Sequence, residues 1–294
     1  MQVINCKQIR QNMLTEAKME LAKILANTGK VLKLVVVQVG SDPASSTYIK
    51  NKIKTCEECG VECEHFKLPE SISVGDLKRI ISATCDDNKV DGVMLQLPLP
   101  EHLKKYEQSL LDAIPWDKDV DALSTNNIGR LWNNKPCITP ATAQGVLRLL
   151  PDDLSGKNIC ILGRSNLVGK PLVKLLMDRN ATVTVCHSYT DSITDHISNS
   201  DIVISAIGLP KYIKYQHTIN NNGYSRCKFI IDVGINRDEN GKLCGDVDID
   251  DFENSYIDIT PVPGGVGQLT TAQLILNIVK AYRLQNGDLY ESRN

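Results

Sequence analysis

The chain has 294 residues, 42% of them hydrophobic and 23% charged, the balance of a soluble globular protein rather than of a disordered or collagen-like chain. At about 150 residues per domain, the length predicts two domains, each large enough for its own core. Lys+Arg 33 against Asp+Glu 35 leaves a formal charge of -2, with only 3 Phe and 2 Trp, so both the counter-charge and the stacking surface of a nucleic-acid binder are missing.

The longest apolar stretch, 31–39, is interrupted by Lys33 and Gln38 and is far shorter than the about 20 residues of a membrane-spanning helix. Asn5, Lys7 and Gln8 fall where a signal peptide needs an unbroken apolar run, so the expectation is a cytoplasmic protein whose ten cysteines are reduced. Cys56, Cys59, Cys63 and His65 lie close in sequence, yet no second CxxC and no paired histidines follow. Cysteines spaced i, i+3, i+7 share one helix face, where they pack as small hydrophobes, and no metal is expected.

In chain order, a helix is predicted from Lys7 to Thr28, closed by Gly29. Leu32 to Val39, β-branched and apolar, reads as a buried parallel strand. A helix from Pro43 to Gly60, a strand at Glu62 to Leu68, a helix at Ser73 to Asn88 and a strand at Asp91 to Leu97 complete a βαβαβ pattern. A second alternation starts after Ala143. Strands are expected at Lys157 to Leu162, Ala181 to Cys186, Asp201 to Ile207 and Phe229 to Val233, with a helix at Lys170 to Met177 and a hairpin turn at Asn240-Gly241. A last helix, from Thr271 to about Leu284, is expected to return to the first domain.

The predicted fold class is therefore α/β with two domains. The first is an N-terminal α/β domain with a mostly parallel sheet, residues 1–143, completed by a C-terminal helix at 271–294. The second is a Rossmann-like domain at 144–270. In such sheets ligands gather at the carboxyl ends of the strands.

GRSNLVGKP, 163–171, stands between a strand and a helix, where backbone amides and a helix N-terminus face a pyrophosphate. Ser165 replaces the usual second glycine, so the motif alone is also compatible with a plain strand-to-helix turn. The next strand ends Cys186-His187-Ser188-Tyr189-Thr190, with no acid before Asp191. That favours NADP over NAD, with Arg164 offering charge and Ser188 a hydroxyl to the extra phosphate. In STYIKNKIK, Tyr48 and Lys52 are four residues apart and project from one helix face. On spacing alone, alternating Lys50, Lys52 and Lys54 are better explained as a solvated basic helix; the sharper reading gives Lys52 a proton-transfer role. Gln96, at a strand end, is by itself most simply a structural hydrogen-bonder. Asp119 and Asp121 are commoner as turn caps than as a metal pair.

TYIKNKIKTCEECGV, DGVMLQLPLP, KDVDALSTNNIGRL, GRSNLVGKP, IDVGINR and TPVPGGVG, in this order and spacing, resemble the bifunctional methylenetetrahydrofolate dehydrogenase/cyclohydrolase family across nearly the whole chain. The resemblance implies NADP-dependent oxidation of 5,10-methylenetetrahydrofolate to the methenyl form, then hydrolysis to 10-formyltetrahydrofolate, without a metal, in a homodimer whose reaction lies in a cleft between a folate domain and an NADP domain. It further implies that Lys52 is the catalytic lysine, that Gln96 orients it, that Tyr48 stacks on the folate rings and that Asp121 holds the pteridine with support from Asp119. Pro263, Gly264 and Gly265 match the loop that meets folate and nicotinamide; Gly163, Arg164, Ser165, Ser188 and Ile235 match NADP contacts.

The sequence departs from the family pattern at Tyr189, where Lys or Arg is frequent, which leaves NAD as the less favoured cofactor. It departs also at Gln268 and Leu269 (commonly Pro-Met), Ala122 (commonly Gly) and Ala143 (often Pro). A monofunctional dehydrogenase is the alternative activity, against which Lys52 and Gln96 both argue. A nucleotide-binding scaffold without activity would have lost Lys52, Asp121 or the glycine loops.

Overall fold

A computed structural model describes residues 1–287. Along the chain run α1 (Cys6–Thr28), β1 (Lys33–Val39), α2 (Pro43–Cys59), β2 (Glu62–Leu68), α3 (Val74–Asp86) and β3 (Gly92–Leu95), followed by short helices α4 (Glu101–Lys104), α5 (Glu107–Leu111), α6 (Thr125–Trp132) and α7 (Ala141–Leu147). Then come β4 (Asn158–Leu162), α8 (Gly169–Met177), β5 (Thr182–Cys186), α9 (Ile193–Ser198), β6 (Ile202–Ser205), β7 (Phe229–Asp232), β8 (Asn236–Arg237), β9 (Leu243–Cys244), β10 (Asp258–Ile259) and α10 (Val266–Gln285). The chain divides into two compact units, one formed by 12–141 with α10 from Thr271 onwards, the other by Met1–Gln11 with Thr142–Thr270. We call them the amino-terminal and the central unit.

The amino-terminal unit is built on a three-stranded parallel sheet, order β2-β1-β3. β1 lies in the middle, and Leu34 to Val39 are all buried, as a parallel strand covered on both faces must be. α3 buries Leu77, Ile81, Thr84 and Cys85, a stripe at helical spacing. It starts at Ser73, whose hydroxyl accepts the Asp76 N–H at 3.1 Å and donates to the Asp76 carboxylate at 2.6 Å. Leu77, Ile81 and Cys85 join Val35, Val37, Val93 and Leu95 in one apolar core.

The central unit has a five-stranded parallel sheet, order β10-β7-β6-β4-β5. β4 pairs with β5 on one side and with β6 on the other, which opens the crevice typical of doubly wound sheets at the carboxyl end of β4. Cys160, Leu162, Val203, Ile230 and Phe252 form its core. At its amino terminus, Val3 pairs with Ile259. The expected hairpin is β8–β9, and its turn is closed by the Asp238 carboxylate, which accepts the Asn240 and Lys242 N–H groups at 3.0 and 2.9 Å.

Three sequence expectations change. The last helix starts at Val266 rather than Thr271, because the chain after Gly265 turns directly into helix; residues 288–294 of the expected C-terminal helix lie outside the described residues. Cys63 does not share a helix face with Cys56 and Cys59, since α2 ends at Cys59 on a left-handed Gly60 and Cys63 belongs to β2. Helices α4 to α7 and α9, with four to eight residues each, are too short to show a periodic pattern and are absent from the elements expected from the sequence. Among the described residues no helix is long and apolar enough to cross a membrane.

Candidate active site

In the amino-terminal unit, α2 carries Tyr48 and Lys52. Asp42 caps it, its carboxylate accepting the Ser45 N–H at 2.7 Å, and Pro43 opens its first turn, where the missing proline N–H leaves no hydrogen bond unmade. The ambiguity among the three lysines resolves by burial: Lys50 and Lys54 are exposed, whereas Lys52 is half-buried. Its ammonium donates to Gln96 Oε1 at 3.1 Å and meets Met94 Sδ at 3.4 Å. Met94 and Gln96 are two apart on β3 and its continuation, so both face α2. The Gln96 backbone N–H extends the ladder by bonding to the Val37 carbonyl at 2.8 Å, and its side-chain Nε2 donates to the Leu97 carbonyl. The amide orientation is thereby fixed with its oxygen toward Lys52. No carboxylate pairs with Lys52 among the described residues, so the ammonium keeps donor capacity beyond the glutamine.

Asp119 and Asp121 part company. The Asp119 carboxylate is fully buried and accepts the Ser124 N–H at 2.8 Å and Asn127 Nδ2 at 3.1 Å; burial pushes its pKa up, against the pull of these bonds. It is the clamp of the loop. Asp121, two residues on, is half-buried and its carboxylate accepts no hydrogen bond from the described residues. The following Ala122 is held at φ 57°, the left-handed region that explains why glycine is common there.

In the central unit, the loop after β4 begins with Gly163 at φ 110°, where a Cβ would stand 2.4 Å from the Ala206 carbonyl oxygen. Only glycine fits. Arg164 and Ser165 are exposed. The Ser165 hydroxyl accepts the Val168 N–H at 3.2 Å, and its carbonyl accepts the Lys170 N–H at 3.0 Å. The serine thus builds the turn into α8 itself. Ser188 and Tyr189 are exposed past the end of β5, and the Arg164 guanidinium lies 5.8 Å from the centre of the Tyr189 ring. Ile235, 49% exposed, follows β7. Pro263 is exposed, and Gly264 and Gly265 lead into α10.

Two residues that the sequence reading missed fix these central-unit loops. Asp232, buried at the end of β7, accepts N–H groups from Gly234, Asp246 and Val247 at 2.9, 3.0 and 2.9 Å. Asp246, also buried, accepts from Ser205, Ile207, Leu209 and Asn236 at 2.9 to 3.0 Å. Each acid lies on the other's glycine: a Cβ on Gly245 would stand 1.9 Å from Asp232, and one on Gly234 2.2 Å from Asp246. The shared composition of 232–234 (Asp-Val-Gly) and 245–247 (Gly-Asp-Val) was the available signal. Desolvation raises the Asp232 pKa to about 7.

Family models match almost the whole chain. The catalytic domain of tetrahydrofolate dehydrogenase/cyclohydrolase matches residues 4–121, and its NAD(P)-binding domain residues 139–286. The chain is 39% identical over 283 residues to the bifunctional protein FolD of Listeria innocua, covering 95% of this chain and 96% of that protein. It is 40% identical to that of Campylobacter hominis, covering 96% and 97%. Among solved structures, the bifunctional FolD of Campylobacter jejuni superposes with a TM-score of 0.87 at 36% identity, covering 96% and 98%. The Trypanosoma brucei enzyme, solved with NADP cofactor and inhibitor, gives 0.87 at 31% identity, covering 97% and 98%. With both halves matched in order and the motif residues seated on the elements just described, the chain belongs to the tetrahydrofolate dehydrogenase/cyclohydrolase family.

Proposed function

We propose that the protein oxidises 5,10-methylenetetrahydrofolate to 5,10-methenyltetrahydrofolate with NADP and then hydrolyses the product to 10-formyltetrahydrofolate. The observation that carries this reading is the Lys52–Gln96 hydrogen bond. Oxidation alone needs the folate held and oriented; an ammonium kept free of carboxylates and aimed by an amide is what the hydrolytic step asks for.

A bound NADP would supply the acceptor for the hydride of the one-carbon bridge. The cation left behind is stabilised by the two folate nitrogens that flank it, so the protein's task in this step is positioning. Tyr48, 38% exposed on α2, offers its ring face to the folate, and the unengaged Asp121 carboxylate pairs with the N–H edge of the pteridine. Asp119 acts behind it by holding the loop. In the second step water adds to the methenyl carbon and loses one proton; the resulting hydroxyl loses the other as the formyl C=O forms, and the bond from that carbon to N5 breaks as N5 gains a proton, so that one proton is released overall. Lys52 is the group that moves these protons, and Gln96 holds its nitrogen in place.

For the cofactor, the residues fit NADP. The loop from Gly163 to Ser165 and the amino end of α8 would supply N–H donors to a pyrophosphate, and the absence of an acid at the end of β5 before Asp191, with Arg164 and Ser188 both exposed, supports a 2′-phosphate as their partner. Ile235, Pro263, Gly264 and Gly265 take the nicotinamide side. We also propose a cytoplasmic homodimer: β5 is an edge strand of its sheet, the kind of edge that a second copy satisfies.

The test supplies methylenetetrahydrofolate with NADP or NAD and follows reduced nicotinamide and the methenyl species separately. NADP reduction without lasting accumulation of the methenyl species is expected. No reduction with either cofactor overturns the dehydrogenase, and stoichiometric accumulation of the methenyl species leaves only the monofunctional activity.

A further inference from the structure

The turn that follows β5 exposes an aromatic ring beside the loop that follows β4. Its backbone is closed twice: the Thr190 N–H donates to the His187 carbonyl at 2.9 Å, and the His187 N–H donates to Thr190 Oγ1 at 2.9 Å. Ser188 and Tyr189 stand at the two corners, both exposed. Tyr189 is 82% exposed, yet its ring has a neighbour on either side. Its N–H donates to His187 Nδ1 at 3.2 Å, the His187 ring meets the Tyr189 ring edge-on at 6.2 Å between centres, and the Arg164 guanidinium stands over the ring, 5.8 Å from its centre.

Arg164 and Tyr189 come from adjacent strands. β4 and β5 pair in parallel with Leu162 opposite Cys186, so the loops after them leave the sheet side by side, at the carboxyl edge where a doubly wound sheet takes a dinucleotide. The end of the second strand sets the cofactor there, with an acid for a ribose hydroxyl or a cation for a 2′-phosphate. Residues 187–190 hold no acid, and no lysine or arginine either. Arg164 is the cation that folding brings to this corner. An exposed arginine gives up rotamer freedom when it binds a phosphate, and that loss weakens the contact. A ring against one face of the guanidinium reduces the loss and leaves the in-plane N–H groups for the phosphate oxygens.

We propose that Tyr189 is a positioning residue for cofactor selection, whose ring steadies the Arg164 guanidinium and thereby favours NADP over NAD. The proposal rests on the reading of Arg164 as the partner of the 2′-phosphate. The tyrosine that departs from the family pattern then replaces a second cation by an orienting contact.

The test measures the Kd of NADP and of NAD for the wild type, Tyr189→Leu, Tyr189→Phe, Arg164→Leu and the variant that combines Tyr189→Leu with Arg164→Leu. Tyr189→Leu should weaken NADP binding about fourfold, the scale of a cation–π contact at an exposed site, and leave NAD within about 1.5-fold of wild type, because NAD carries no phosphate for Arg164. Tyr189→Phe, which keeps the ring, should bind NADP as the wild type does. Unchanged NADP binding in Tyr189→Leu overturns the proposal. So does equal weakening of NADP and NAD, the mark of a ring that stacks on adenine, and so does a loss in Tyr189→Phe as large as in Tyr189→Leu, which assigns the effect to the hydroxyl. With Arg164→Leu already present, Tyr189→Leu should have no further effect on NADP; a second fourfold loss overturns the route through Arg164. Wild-type NADP affinity in Arg164→Leu alone overturns the 2′-phosphate reading of Arg164 itself.

Discussion

The two units hold their ligand-facing loops by different means. In the central unit two buried acids, Asp232 and Asp246, receive seven hydrogen bonds between them, five from backbone N–H groups, one from Ser205 Oγ and one from Asn236 Nδ2. Each presses on the other's glycine. Their bonding capacity is committed to the loops, while Arg164, Ser165, Ser188 and Ile235 are exposed. In the amino-terminal unit a single acid, Asp119, clamps the loop, while Lys52 and Asp121 retain unfilled donor or acceptor capacity. In the proposed oxidation the cofactor needs only to be held and oriented, which a fixed mould can do. A substrate whose bonds change needs groups that are free to exchange protons and partners.

The largest expected effect tests the uncommitted side of this contrast. Lys52→Met keeps the length of the side chain but removes the proton carrier, so methenyl hydrolysis should fall by about 10³-fold, within the range for general acid–base groups. NADP binding should stay within twofold. Wild-type hydrolysis in that variant would remove the role assigned to Lys52.

Asp232 tests the committed side through pH. Its folded-state pKa, about 7, lies above that of an exposed carboxylate, so the proton binds more tightly in the folded chain. The stability this contributes is fully present below pH 4 and is lost as the pH rises from about 4 to about 7. Relative to Asp232→Asn, which does not titrate, the wild type should lose up to about 4 kcal/mol across that window, measured by denaturant unfolding at a series of pH values. A pH-independent difference between the two proteins would place the group's pKa near that of the unfolded chain.

The smallest effect concerns the amino-terminal loop, where alanine stands in a left-handed conformation at φ 57°. Ala122→Gly should stabilise by about 1 kcal/mol, a rise of about 2 °C in Tm. A lower Tm would mean that the buried methyl contributes more than the strain costs.

Periodicity sufficed for the long elements. The βαβαβ order and the glycine turn after β4 are local properties, because alternation, helical stripes and the caps at Gly29 and Gly60 act over a few residues. Short helices such as α4 and α9 have no such period, and the start of α10 was displaced by five residues because glycines in 263–267 read as loop. The site was legible only in its residue types. Lys50, Lys52 and Lys54 are equivalent as a pattern, and so are Asp119 and Asp121 in the same loop; burial alone separates them.

By itself, then, the sequence determined two α/β halves and a glycine turn between a strand and a helix, since each depends on neighbours along the chain, while the folate chemistry came from the resemblance of its ordered motifs to a known family. Tertiary structure decided which of those residues face one another. Lys52 meets Gln96 across 44 residues, Asp246 meets Ser205 across 41, and Asn277 meets Val120 across 157. Whether a polar side chain ends as a clamp or stays available to a ligand depends on what packing brings within about 3 Å of it, and no spacing along the chain carries that distance.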